Sequence, residues 1–199
     1  RASPVPHDSK MALYLVTGGA GFIGSHIATA LAERGDQVRI LDDLSTGRRA
    51  NLEHLNPGAL GSGSQVEFLE GDITAAQAVS EACVGVRGVF HEAAQVSVPQ
   101  SIQDPERSYE INVTGTLRLL EAARAQGVER FVFAASSAAY GECVELPKVE
   151  TMTPSPLSPY ASGKVAGEHL LSVYGRVHGL RTVALRYFNA AGADPKGRL

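Results

Sequence analysis

Cysteine is scarce in this chain: among its 199 residues there are two, Cys83 and Cys143. No Cys-x-x-Cys pair and no His/Cys cluster accompanies them, which argues against a zinc site. So little cysteine suits a reducing compartment. Long apolar runs are lacking as well. The longest near the start, "ALYLV", is far too short for a signal peptide or a membrane span. Basic stretches are also missing. Arg48 and Arg49 stand nearly alone, and the formal net charge is −3, so nucleic acid is not an expected partner. There is no internal repeat and no low-complexity block. These absences describe a cytoplasmic protein without a metal, a membrane or a nucleic acid to serve.

Hydrophobic residues make up 44% of the chain and charged residues 20%, ordinary values for a globular protein. The length allows one good core and a small appendage. The first ten residues, "RASPVPHDSK", are polar, precede Met11, and read as a linker or remnant outside the fold. One domain is expected within 11–199, its elements running to about residue 192.

Short apolar, β-branched runs alternate with helical patterns. The strand candidates are 13–17, 37–42, 65–72, 86–94, 128–136 and 180–188. "FIGSHIATALAERG" follows the first, with Ile23, Ile27, Ala30 and Leu31 on one stripe and Gly35 as a stop. Residues 104–127 read as one long helix, started by Asp104 and Pro105 and ended by Gly127. Another helix opens at Ser158 and Pro159 after a proline-rich loop. Such alternation calls for an α/β fold: a doubly wound parallel sheet of the Rossmann type, in the order 3-2-1-4-5-6, with helices on both faces.

Between the first strand and first helix, "TGGAGFIGSH" sets glycines at Gly18, Gly21 and Gly24. Gly18 suits a tight turn, Gly21 a close approach to a pyrophosphate, and Gly24 the packing of the helix. The helix N-terminus then turns unpaired N–H groups and a positive dipole end toward the phosphates. Asp42 ends the second strand, 18 residues after Gly24. An acid there accepts hydrogen bonds from an adenosine ribose and repels a 2′-phosphate, which favours NAD over NADP. Asp72, ending the third strand, suits either an adenine contact or a turn before Ile73 and Thr74. Tyr160 and Lys164 lie four apart at the start of a helix and share a face.

As an ordered set, "VTGGAGFIGSH", "GDIT", "HEAAQVSV", "NVTGT", "SSAAYG", "SPYASGK" and "LRYFNAAGA" resemble the extended short-chain dehydrogenases/reductases. The nearest subgroup is the NAD-dependent nucleotide-sugar epimerases that act at C4 of UDP-glucose and UDP-galactose. The likeness covers about 12–195. It implies that Gly18, Gly21, Phe22, Ile23 and Gly24 hold the pyrophosphate, Asp42 and Asp43 the adenosine ribose, and Asp72 and Ile73 the adenine. It further implies that Ala93, Ala94, Gln95, Asn112 and Tyr187 line the cofactor. Ser136, Tyr160 and Lys164 match the catalytic trio, and Tyr160 and Lys164 also touch the cofactor. Ser136, Tyr160, Phe188 and Asn189 match substrate contacts. Asn112 also suits a structural kink in its helix, and Ser136 a satisfied hydroxyl at a strand end. A homodimer, paired through the long helix and the one after Tyr160, is implied as well.

The implied reaction is a transient oxidation. The sugar C4–H is not acidic, so inversion needs a planar ketone made by giving hydride to NAD. A phenol with a pKa near 10 is a poor base at neutral pH; Lys164 beside it favours the phenolate. Ser136 steadies the sugar oxygen. Ala138 and Ala139 follow the serines, where related 4,6-dehydratases carry an Asp-Glu pair, so elimination is disfavoured. UDP-glucuronate 4-epimerisation, UDP-N-acetylhexosamine 4-epimerisation, UDP-glucuronate decarboxylation and a non-catalytic NAD-binding role stay open. The family continues for more than a hundred residues past "RYFN" with most of the nucleotide-sugar pocket. The expectation is therefore a cofactor domain that binds NAD and turns over sugar poorly by itself.

Overall fold

The computed structural model describes residues 11–198; the predicted leading linker lies outside them. Six strands form one parallel sheet: β1 (Leu13–Thr17), β2 (Gln37–Asp42), β3 (Val66–Glu70), β4 (Gly88–His91), β5 (Arg130–Ser136) and β6 (Arg181–Tyr187). Their order is β3-β2-β1-β4-β5-β6, as the alternation of patterns predicts. The helices are α1 (Phe22–Glu33), α2 (Ala76–Ala82), α3 (Val98–Gln103), α4 (Pro105–Tyr109), α5 (Thr116–Ala125) and α6 (Pro159–His178). Short 3-10 turns occupy Arg49–Leu55 and Ser137–Tyr140.

Two apolar layers sandwich the sheet. One packs Leu15, Phe131 and Phe133 against Leu119, Leu120 and Leu171 from α5 and α6. The other packs Val16, Val38 and Ile40 against Ala28 and Leu31 of α1 and Leu52 of the first 3-10 turn. Central strands are apolar on both faces for this reason. Each fully buried Phe or Leu contributes about 1.5–3 kcal/mol.

Four predicted strands, β3 to β6, are shorter than their apolar runs, β3 and β4 most clearly at their C-terminal ends. β3 ends at Glu70 because the Gly71 N–H still bonds Asp42 O while Asp72 begins a turn, accepting from Thr74 N–H at 2.7 Å. β4 ends at His91 because the chain then leaves the sheet, its last tie being Glu92 N–H to Thr17 O.

The single helix predicted for 104–127 is a correction. The segment begins as expected, with Asp104 accepting from Arg107 N–H and Pro105 in the first turn, but breaks into α4, a π stretch at Glu110–Gly115, and α5. Asn112 turns its amide out to Gln95, and the Thr116 hydroxyl bonds back to Asn112 O at 2.7 Å. Gly115 sits where a Cβ would come within 2.8 Å of Ile73 Cδ1. A π bulge is how a helix absorbs such side-chain demands. Helix α3 was not predicted, although Ser97 caps it and Pro99 lies in its first turn.

Candidate functional site

A cleft of about 690 Å³ opens along the C-terminal ends of β1, β2 and β4. A second concavity of the same volume lies beside β3, so size does not choose between them. The lining does. The first cleft gathers Gly18, Gly21, Phe22, Ile23 and Gly24 from the glycine turn, and Asp42 and Asp43 from the end of β2. It also gathers Asp72 and Ile73 after β3, and Ala93, Ala94 and Gln95 after β4.

The turn is shaped by two glycines. Gly18 has φ +66°, and a Cβ there would lie 2.6 Å from the Ala93 backbone nitrogen. At Gly24 a Cβ would lie 2.3 Å from the Gly18 carbonyl oxygen. Gly24 thus lets α1 close on the turn itself rather than on the sheet. Gly21 is the residue before α1 and offers no side-chain cap. The first N–H groups of the helix have no intrahelical partner and face the cleft with the positive end of its dipole.

Asp42 is 7% exposed and holds this turn. Its Oδ2 accepts from Ala20 N–H and its Oδ1 from Leu44 N–H, both at 2.9 Å. Burial pushes its carboxyl above the usual range, against the pull of those two donors. Asp43 is exposed and accepts from the Ser45 N–H and hydroxyl. Asp72 serves its turn and also pairs with Arg107 at 2.9 Å. Burial raises its carboxyl, and the donors from Thr74 and Arg107 more than reverse that.

Asn112 does not line this cleft. Its Oδ1 accepts from Gln95 N–H at 2.9 Å and its Nδ2 donates to Gln95 O at 3.0 Å. Both ends of the amide hold the backbone of the lining segment.

The residues matched to chemistry sit beside the cleft, on β5, α6 and β6. Ser158 caps α6 and Pro159 opens it, which puts Tyr160 in the first turn, half-buried, and Lys164 one turn on. Gly167 lets α6 lie close to the sheet, because a Cβ there would come 2.5 Å from the Phe133 ring. Lys164 is consequently 3% exposed. Its Nζ donates to Ala134 O at 2.8 Å and lies 4.8 Å from the Phe133 ring centre. Burial pushes the ammonium down to about 8, while the charge of Glu92 holds it up. Ser136 ends β5 opposite Tyr187 of β6 and accepts from Ala138 N–H at 3.1 Å, which leaves its own proton to donate. Phe188 is 63% exposed, stacks on Tyr140, and with Asn189 lies outside the cleft.

Two charged lining residues were not predicted. Arg107 reaches the cleft through its pair with Asp72. Glu92 stands within the quoted "HEAAQVSV" stretch, and its signal is an acid ending an apolar strand. Burial pushes its carboxyl up to about 7, with Lys164 and Tyr187 pulling it back. His91 beside it lies 2.7 Å from Thr17 Oγ1 and 3.0 Å from Thr116 Oγ1. Enclosure, then the Lys164 charge, pushes it down to about 3, so it is neutral at physiological pH.

A parallel sheet in this order, a glycine turn feeding a bare helix N-terminus and an acid ending β2 define a dinucleotide-binding α/β protein. The sequence matches the NAD dependent epimerase/dehydratase family over residues 14–198, and the chain belongs to that family. It is 40% identical to the UDP-glucose 4-epimerase of Streptomyces lividans over 94% of this chain and 54% of the relative. The crystal structure of UDP-glucose 4-epimerase from Brucella ovis in complex with NAD superposes with a TM-score of 0.85 at 39% identity, covering 94% of this chain and 55% of that one. The Thermotoga maritima UDP-glucose 4-epimerase with UDP-glucose gives a TM-score of 0.83 at 38% identity, covering 94% and 59%. The chain spans about half the length of the curated relatives it matches.

Proposed function

We propose that this chain carries the NAD-binding and acid–base machinery of an enzyme that epimerises a nucleotide sugar at C4, of the UDP-glucose/UDP-galactose type. The observation that carries the reading is the adjacency of a glycine-built cleft and the Ser136–Tyr160–Lys164 set on β5 and α6. The names of the relatives and the ligands of the neighbouring structures support it.

The residues present fit a dinucleotide. Gly18, Gly21 and Gly24 leave room at the α1 N-terminus for a pyrophosphate, with Phe22 and Ile23 supplying N–H groups. Asp42 and Asp43 have carboxylate capacity left for ribose hydroxyls, and their charge disfavours a 2′-phosphate. Asp72 and Ile73 border the adenine end; Ala93, Ala94 and Gln95, braced by Asn112, floor the cleft. Bound NAD supplies the hydride acceptor and donor. Tyr160 takes the proton of the sugar 4-hydroxyl, and the Lys164 ammonium one turn away favours the phenolate. Ser136 donates to the sugar oxygen as charge develops there. Tyr187, Phe188 and Asn189 border the sugar side. Ala138 and Ala139 offer no acid for an elimination.

The protein works in the cytoplasm, and among the described residues no helix is long and apolar enough to cross a membrane. Residues 11–198 act as the cofactor domain. A second copy covers exposed Leu117 of α5 and Val173 and Val177 of α6; light scattering giving monomer mass alone removes that part.

The test of the catalytic roles follows NADH absorbance when UDP-glucose is added to an NAD-loaded protein extended to the full length of the relatives. Tyr160→Phe lowers the rate about 10³-fold and leaves NAD affinity unchanged. Equal rates with and without the phenol would remove Tyr160 as the base.

A further inference from the structure

Glu92 holds a buried carboxylate oxygen with no hydrogen-bond partner among the described residues. It follows β4 directly and lines the cleft. Its Oε1 is buried and accepts no hydrogen bond. An acceptor enclosed in this way costs stability unless a charge compensates it.

The compensating charge comes from α6. The Lys164 ammonium has three donors, and its partners are the Ala134 carbonyl and the face of Phe133. Each of the two charges acts on the other: Lys164 favours the ionised form of Glu92, and Glu92 favours the charged form of Lys164. From β6 the Tyr187 phenol also favours the Glu92 carboxylate. The other titratable group near Lys164 is His91 on β4, which is enclosed between Thr17 and Thr116 and stays neutral. Tyr160 shares the helix with Lys164. Glu92 therefore supplies the negative charge that Lys164 feels among the described residues.

We propose that Glu92 is a positioning residue: its buried carboxylate at the end of β4 is the counter-charge that favours the ammonium form of the enclosed Lys164. The inference rests on the reading of Lys164 as the partner of Tyr160, because the charged lysine is the form that favours the phenolate. Loss of the carboxylate leaves an enclosed ammonium with no opposite charge, and such a group sheds its proton at lower pH.

The experiment is a titration of the whole chain labelled with ¹³C at lysine Cε. The chain has four lysines, Lys10, Lys148, Lys164 and Lys196, and the Lys164 signal is the one lost in Lys164→Arg. A midpoint of about 8 is expected for it in the native protein. In Glu92→Gln it falls by about one pH unit, with partial recovery in Glu92→Asp, while the other lysines do not move. An unmoved Lys164 midpoint overturns the proposal. If Glu92→Gln fails to fold, Tyr187→Phe replaces it. Loss of the phenol weakens the carboxylate and lowers the Lys164 midpoint by a smaller amount, and no movement there again overturns the proposal. In a folded Glu92→Gln extended to the full length of the relatives, the alkaline limb of NADH formation with UDP-glucose shifts down with Lys164, which a purely structural carboxylate would not cause. NAD calorimetry on the same samples separates the two readings. Failure to bind NAD with the lysine shift intact removes the proposed function, and normal NAD binding with no lysine shift removes the role of Glu92.

Discussion

On the β1–β2 side of the sheet the site is a cleft made by backbone; beside it, toward β5 and β6, the site is made by side chains. The first region owes its shape to Gly18 and Gly24, and its polarity to helix N–H groups and the Asp42 carboxylate bonded to Ala20 and Leu44. The second depends on Lys164, Glu92, Tyr160 and Ser136 reaching the right place from three elements. Backbone sites tolerate no added atom, because no rotamer can relieve the clash. Side-chain sites tolerate changes of shape but respond strongly to changes of charge, because burial magnifies electrostatics.

That contrast can be broken or sharpened by substitution. The largest effect falls on the backbone side. Gly24→Val places atoms against the Gly18 carbonyl and Gly19 Cα, and α1 must shift. Overpacking of this kind costs about 3 kcal/mol, and calorimetry finds no NAD binding. Native-like stability and NAD affinity in that variant would show that the turn is more adaptable than its contacts imply.

Asn112→Ala comes next. It leaves the Gln95 N–H and C=O without partners and costs about 2 kcal/mol by denaturant unfolding. It also weakens NAD binding through the displaced floor of the cleft. Loss of affinity without loss of stability would instead make Asn112 a direct cofactor contact.

The side-chain region answers to pH. His91 is held well below its ordinary value, so the unfolded chain binds a proton that the folded chain refuses between pH 6.5 and about 3. Stability in that window falls as pH falls, by roughly 1 kcal/mol per pH unit from this group. His91→Asn flattens the slope, as urea midpoints between pH 7 and 5 will register. The smallest effect belongs to the half-exposed pair of Arg107 and Asp72. Arg107→Met costs less than about 1 kcal/mol, and added salt erases the difference.

The same contrast explains what could be read from the sequence. The glycine spacing, the acid at the end of β2 and the apolar strands are local signals, and the strand order follows from their alternation. Ser158 and Pro159 likewise mark the start of α6 in its own residues. The break in the predicted long helix has no local signal. It arises because Asn112 braces Gln95 seventeen positions earlier and Gly115 meets Ile73. The 3-10 turn at Arg49–Leu55 forms on the packing of Leu52 beneath α1, which no periodicity in seven residues conveys. Glu92 is legible as an acid at a strand end. Its buried oxygen and its pairing with Lys164 depend on α6 and β6 arriving from far along the chain. Helix α3 did carry a local signal, the Ser97 cap with Pro99, in the same segment as the cofactor-lining motif.

The central claim is that the cleft selects NAD, and calorimetry of the native chain with NAD and with NADP tests it most directly. The account predicts one NAD site per chain, with NADP weaker by about tenfold or more, since the Asp42 and Asp43 carboxylates repel a 2′-phosphate. Equal affinity for the two, or no binding of NAD, would contradict it.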